Sequence, residues 1–363
     1  MITTKIILFL SVPLLLKAGF TEPIRALQRK GILDNLRSKR IDSKTERMTE
    51  DELVNYVNSH QSYWMAVKHD RFSSYNQSTR TGIMGVQNIY LPAETKRRLS
   101  TTRHLNVTIP DKFDSREWWS ECQSIGKVKD QSLCGSCWAF GAAEAITDRV
   151  CIASKGKITP NISVDDVLAC CTSCGEGCNG GWPIKAWDYW VKEGLVTGSD
   201  YGSNDSCLPY PFPSCKHPLD NSTEDICKHG LFPTPQCKKT CNKDYKKEFE
   251  ADKHFGLSAY GVENSVEAIQ KEVMTYGPVE VAFEVYEDFF HYSEGVYVHT
   301  AGTLAGGHAV KLIGWGEEKG LPYWLLVNSW SSDWGEKGLF RIARGSNECG
   351  IESGVVAGIP KTY

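Results

Sequence analysis

The chain has 363 residues, with 41 Lys and Arg set against 44 Asp and Glu, a formal net charge of −3. So even a balance gives no electrostatic case for nucleic acid or for bulk membrane binding. All 14 cysteines fall between Cys122 and Cys349, which permits seven bridges or fewer bridges with free thiols.

The start of the chain carries Lys5, an apolar run from Ile6 to Leu16, and small residues at Ala18 and Gly19. This pattern predicts a secretory signal peptide over residues 1–18, too short to span a bilayer. No later stretch is apolar enough to cross a membrane. The route it implies is oxidising, so most cysteines should be bridged. Asn76, Asn106, Asn161, Asn204 and Asn221 stand in Asn-X-Ser/Thr triplets and are candidate glycan acceptors.

Residues 19–108 hold no cysteine and much charge; from Asp51 the apolar spacing predicts a helix. Composition changes at Ile109-Pro110-Asp111-Lys112-Phe113, so residues 109–363 form the main unit. Within it, Cys137–Val150 predicts a helix with Trp138, Ala142 and Ala145 on one side. Trp182–Val191 predicts a second, with Pro183 near its start. Val279–Val285, His308–Trp315, Tyr323–Val327 and Gly338–Ala343 predict strands separated by Gly and Pro. A helical part followed by a sheet part predicts an α+β chain of two lobes, with a ligand cleft between them.

The chemistry sits in Gln131-Ser-Leu-Cys-Gly-Ser-Cys-Trp-Ala-Phe140. Alone, Cys134-Gly-Ser-Cys137 fits a redox pair, a zinc ligand pair, a disulfide partner or a nucleophile. Gly306-Gly307-His308-Ala309 adds an imidazole, and Asn328-Ser329-Trp330 adds an amide beside an aromatic ring. A thiol becomes a strong nucleophile on losing its proton, a neighbouring imidazolium holds it as thiolate, and a helix start favours the same charge. An Asn amide can orient the imidazole without adding charge. The combination favours Cys137 as a nucleophile that needs no metal and no cofactor.

These motifs resemble the papain-like cysteine proteases, most closely the cathepsin B branch. The resemblance covers residues 109–363 and, more loosely, the segment before it through Tyr63-Trp64-Met-Ala66 to Phe72. It implies a helical left lobe and an antiparallel, β-barrel-like right lobe. Residues 19–108 would be an inhibitory pro-segment. The roles it implies are Cys137 as nucleophile, His308 as general base and acid, and Asn328 as orienter. Gln131 would be an oxyanion-hole donor together with the Cys137 N–H, and Trp330 would shield the Asn328–His308 bond. Substrate contacts would come from Gly180, Gly181, Pro183, Ala309, Trp330, Gly354 and His217. The implied bridges are Cys122–Cys151, Cys134–Cys178, Cys170–Cys237, Cys171–Cys174, Cys207–Cys241 and Cys215–Cys227, leaving Cys137 and Cys349 free.

Residues 207–241 match the occluding loop, which in that branch blocks one end of the cleft with two adjacent histidines that hold a substrate carboxylate. His217 matches the first, but Pro218 stands at the second, and Asp130 matches the acid that pins the first. Gly354 stands where mammalian relatives carry a glutamate that accepts arginine two residues before the cut. Tyr323–Glu336 is similar to a motif of blood-feeding worm enzymes, with Val327 as a departure. The resemblance further implies a monomer acting on proteins and peptides, inhibited by its own pro-segment and by cystatin-type proteins. Its place would be lysosomal or extracellular, the gut lumen included. A catalytically silent binding protein on the same fold would have lost the nucleophile; here Cys137, His308, Asn328 and Gln131 are all present.

Overall fold

The computed structural model describes residues 22–96, 98–100, 105–215 and 230–361. The expected signal peptide lies outside them, as do His217, Pro218, Asn221 and Cys227.

The N-terminal segment opens with helix α1 (Glu22–Ser38) and helix α2 (Glu50–His60). Thr49 and Glu52 start α2 as a reciprocal capping box, with Thr49 N–H donating to Glu52 at 2.8 Å. Such a cap contributes about 1 kcal/mol. Only Leu53 and Val57, one helical turn apart, are buried. They join Trp64, Phe72, Tyr75 and Ile83 in the core that also holds Phe289, Phe290 and Trp330. The segment thus has no separate core of its own and folds against the rest of the chain.

Helix α3 (Cys137–Ala153) is buried from Cys137 to Cys151 on every side, not along the single face expected. It is wedged between helix α4 (Pro183–Lys192) and the sheet, where Gly141 and several alanines allow close approach. Its buried charged residues are paired with residues of the later part of the chain. Lys311 lies 2.8 Å from Asp148 and 3.5 Å from Glu144. Arg149 meets Glu272 of helix α5 (Val266–Tyr276) at 3.0 Å and donates to the carbonyls of Gly277, Pro278 and Gly358. Removing one member of such a buried pair strands the other and costs about 3–5 kcal/mol.

The sheet has ten strands. Those of the N-terminal segment are β1 (Trp64–Ala66) and β2 (Leu99–Ser100), followed by β3 (Phe113–Asp114). The remaining strands are β4 (Gly256–Val262), β5 (Val279–Tyr286), β6 (Tyr292–Tyr297), β7 (Leu304–Glu318), β8 (Leu321–Val327), β9 (Leu339–Ala343) and β10 (Val356–Pro360). Their order is β1-β6-β9-β8-β7-β5-β10-β4-β2, with β3 on β7. The α+β class is as expected, but the sheet is open rather than barrel-like. The β6–β9 and β2–β4 pairs are parallel. Both ends of the path, β1 and β2, come from the N-terminal segment.

Five bridges join Cys122–Cys151, Cys134–Cys178, Cys170–Cys237, Cys171–Cys174 and Cys207–Cys241. Cys215 is also disulfide-bonded, while Cys137 and Cys349 are free thiols.

Candidate active site

Cys137 opens α3 at the floor of the cleft between the lobes, fully buried. Its thiol accepts the N–H of Gly85 at 3.2 Å, and the Ala309 N–H also reaches it. Gly85 belongs to the N-terminal segment, and no other residue fits there. A Cβ would lie 2.1 Å from the Gly135 carbonyl oxygen and 2.9 Å from Cys137 Sγ.

His308, on β7, places Nε2 2.8 Å from Asn328 Oδ1. That oxygen also accepts the Ser329 N–H at 2.8 Å, so Nε2 carries the hydrogen and donates. Nδ1 is left with its lone pair, buried and without a partner. The preceding strand fixes this side, since the next residue's N–H already points at the thiol. Trp330 tilts over the imidazole with ring centroids 4.8 Å apart, and Phe283 meets it edge-on at 5.8 Å. Phe72 of the N-terminal segment packs on Trp330 at 5.0 Å. Aromatic rings therefore flank the His308 imidazole on two sides.

Gln131 is also buried, and three bonds fix its amide. Oε1 accepts from Ser329 Oγ at 2.8 Å, while Nε2 donates to the carbonyls of Cys134 and Ile83, each at 2.8 Å. The Ile83 carbonyl belongs to the N-terminal segment. From there the segment runs on through the cleft, bridged to both sides at Val86. Val86 N–H donates to Gly307 O at 3.0 Å, Gly181 N–H to Gly85 O at 2.9 Å, and Gln87 N–H to Gly181 O at 3.2 Å. It is thus bonded to both lobes. Gly180 borders the same strand, with a Cβ built there 3.1 Å from Gly85 O.

Further along, Ile89 lies over Gly354, Gly350 and Gly307. Pro183, Ile184, Ala282, Gly354 and Val356 line this recess with Ile89. Ala309 is the neighbour of Ala282 across β5 and β7. Gly354 and Pro183 thus line one apolar recess, where the Ile89 backbone covers Gly354 and its side chain meets Gly350 and Gly307.

Burial under the segment sets the charge state of the pair. It pushes the Cys137 thiol up to about 12 and His308 down to about 4. Between those values the covered pair is neutral. Burial under residues 83–91 thus disfavours the charged form of each group.

Asp130, read from sequence as the acid for His217, holds other donors among the described residues. Its carboxylate accepts from Arg71 at 2.9 Å, Ser132 N–H at 2.8 Å, Ser214 Oγ at 2.7 Å and Cys215 N–H at 2.9 Å. Sequence reasoning missed Arg71, Ile83, Gly85 and Ile89. The one local signal was Gly85 interrupting the apolar run Ile83-Met84-Gly85-Val86. It also missed Ser329, which fixes Gln131 and is visible only as a polar residue between Asn328 and Trp330.

A free thiol at a helix start, an imidazole ordered by an amide and a segment laid over both form an arrangement that suits a cysteine peptidase. The papain family cysteine protease profile matches residues 109–359. The chain belongs to that family. It is 56% identical over 336 residues to cathepsin B-like cysteine proteinase 6 of Caenorhabditis elegans, covering 92% of this chain and 89% of that one. It is 50% identical to the cathepsin B-like cysteine proteinase of Schistosoma japonicum, over 86% of this chain and 91% of the relative. Among solved structures, procathepsin B S9 of Trypanosoma congolense superposes with a TM-score of 0.74 at 34% identity, over 87% of this chain and 99% of that one. The chain is a cysteine-type peptidase of the cathepsin B-like kind.

Proposed function

We propose that residues 19–108 are an inhibitory pro-segment and that cleavage near residue 108 releases an endopeptidase acting through Cys137, His308 and Asn328. The observation that carries this reading is the Ile83 carbonyl on the Gln131 amide, with Gly85 over the thiol: the segment stands where a substrate would. With the segment gone, water reaches the pair and the Cys137 proton passes to His308 Nδ1. The thiolate attacks the substrate carbonyl carbon, and the tetrahedral oxyanion meets Gln131 Nε2–H and the Cys137 N–H. Losing one such donor typically costs about 3 kcal/mol of barrier. The C–N bond then breaks as His308 protonates the leaving amine. Water, giving its proton to His308, hydrolyses the thioester and frees the acid product. Asn328 holds the imidazole through both transfers, and Trp330 keeps water off their bond.

The pocket over Gly354 takes an apolar side chain two residues before the cut. An arginine there would be desolvated with no partner charge. The same reading makes dipeptide removal from C-termini weak. His217 can hold a terminal carboxylate, but Pro218 has no side-chain donor and no N–H. Losing one charge-assisted hydrogen bond costs roughly 1.5–3 kcal/mol, or one to two decades of rate. Signal cleavage after residue 18 and export to a lysosomal or extracellular compartment complete the proposal.

The test compares release of C-terminal dipeptides with cleavage of end-blocked peptides, for the processed enzyme and for Pro218→His. End-blocked peptides should be favoured by wild type, and Pro218→His should raise dipeptide release. Efficient dipeptide removal by wild type, with no gain from the variant, would refute this reading of the loop.

A further inference from the structure

In the proposed mechanism two donors meet the oxyanion, the Gln131 amide and the Cys137 N–H, and they stand at opposite ends of one loop, residues 131–137. Donors of this kind act only if their spacing is preset to within about 0.5 Å. One side chain from outside the loop ties its two ends together. The Tyr210 hydroxyl donates to the Gln131 carbonyl at 2.8 Å and lies 2.9 Å from Ser136 Oγ. A phenol has one hydrogen and a carbonyl only accepts, so that hydrogen is committed to Gln131. Ser136 then donates to Tyr210; the Cys134 carbonyl, 3.5 Å from the serine hydroxyl, is too far to compete. Ser136 is the N-cap of α3, where a serine oxygen usually accepts an N–H of the first turn, yet its side chain makes no capping bond. The hydroxyl is turned to Tyr210 instead. The Ser136 carbonyl accepts the N–H groups of Ala139 at 2.8 Å and Phe140 at 3.0 Å, which fixes the peptide plane that carries the Cys137 N–H. All three linked residues are buried, Gln131 and Ser136 completely and Tyr210 at 6% exposure.

Tyr210 is itself held in place. Its N–H donates to the Ser199 carbonyl at 2.8 Å, and its ring meets Phe140 edge-on at 4.8 Å and Phe212 at 5.5 Å. None of these ties belongs to residues 19–108, so the bridge does not depend on the pro-segment. We propose that Tyr210 is a positioning residue of the oxyanion hole, whose single hydroxyl sets the spacing between the Gln131 amide and the Cys137 N–H. This rests on the peptidase reading above. Without the hydroxyl, the Gln131 carbonyl loses this donor and the Ser136 hydroxyl loses its acceptor. Both groups are buried, so the loop shifts to find them other partners, and the two oxyanion donors lose their common aim. Tyr210→Phe removes one oxygen and keeps the ring that Phe140 and Phe212 pack against.

The experiment uses the processed enzyme and compares two reactions of Cys137. Hydrolysis of an end-blocked peptide builds an oxyanion; alkylation of the thiol by iodoacetamide does not. Tyr210→Phe should lower kcat/KM about tenfold, the scale of two hydrogen bonds felt in the transition state. Its alkylation rate should stay within about twofold of wild type, with the same pH profile, because Cys137 and His308 are undisturbed. Placed on top of Gln131→Ala, the same change should cost less than about twofold, since the donor it positions is gone. Wild-type kcat/KM in Tyr210→Phe, an equal fall in alkylation, or the full loss on top of Gln131→Ala would each overturn the proposal. Should Tyr210→Phe not fold, Ser136→Ala decides. It keeps the ring and the bond to Gln131 and should lower kcat/KM by about threefold with alkylation unchanged; wild-type kcat/KM there would overturn the proposal as well. If wild type cuts no peptide while its Cys137 alkylates readily, the peptidase reading itself falls.

Discussion

On the proposed reading, Cys137 and His308 act as a pair once the backbone around Gly85 has left the thiol. Cys137→Ala and His308→Ala should each lower turnover of the processed enzyme by several orders of magnitude, because members of such a unit fail together. Steady-state rates on an end-blocked peptide check this, and normal hydrolysis by Cys137→Ala would dismiss the assignment. Gly354 carries a second expectation. Paired peptides that differ only two residues before the cut should be cleaved faster with Phe, Leu or Val than with Arg, and Gly354→Glu should restore arginine. The structure adds a cost to that variant. A Cβ at 354 would collide with the backbone oxygen of Ile89. The variant's full chain should therefore be less tightly latent, measured as residual activity before processing. Cys137, His308, Asn328 and Gln131 were legible because their motifs are local. Ile83, Gly85, Ile89 and Arg71 were not, since each acts through backbone or through a partner dozens of residues away, and nothing in residue type announces that.

Helix α2 packs on the turn Glu287–His291 of the peptidase, and this contact is built to respond to acid. His291 is buried beneath the pro-segment with neither ring nitrogen hydrogen-bonded; its Nδ1 lies 3.7 Å from Glu50. Arg80, His69 and the Val67 backbone also face it. Burial lowers it to about 4, with Glu50 opposing and Arg80 reinforcing that shift. Burial also lowers His69, which holds the Tyr292 carbonyl at 2.9 Å. The sign follows from linkage. Above the ordinary histidine value both states are neutral and pH has no effect through this group. Below it the separated state takes the proton and the docked state does not. Docking therefore weakens as pH falls from about 6.5 toward 4, by roughly thirtyfold at pH 5 for His291 alone. His291→Leu should move the midpoint of acid release to lower pH, read from the pH dependence of processing. An unchanged or higher midpoint would exclude His291 as the sensor. At this scale the sequence was only partly readable. The four strands with long apolar runs were identified, but β1 and β2 are three and two residues long and owe their existence to the strands beside them. The single buried face assigned to α3 was an underestimate for the same reason: packing from two sides is a tertiary fact.

Across the whole molecule the N-terminal segment acts as a clasp. It supplies both end strands of the sheet, threads the cleft between Gly181 and Gly307, and adds Phe72 to the core around Trp330. Its cations meet acids of the enzyme at Arg71–Asp130, Arg98–Asp188 and Arg29–Glu317. The exposed Arg98 pair adds little on its own, so latency rests on the cleft strand, the shared core and the buried Arg71 pair. The α+β architecture was legible in the motif spacing; the way the N-terminal segment closes the sheet was not. The account turns on one claim, that a competent Cys137–His308 pair is present and is silenced by residues 83–91. The most direct test is labelling of Cys137 by a thiol-directed epoxide at pH 7, before and after cleavage near residue 108. The intact chain should label slowly, because its thiol is covered and protonated. The cleaved chain should label rapidly and stoichiometrically, and lose all activity as it does. Equal labelling and equal activity in the two forms would contradict the account.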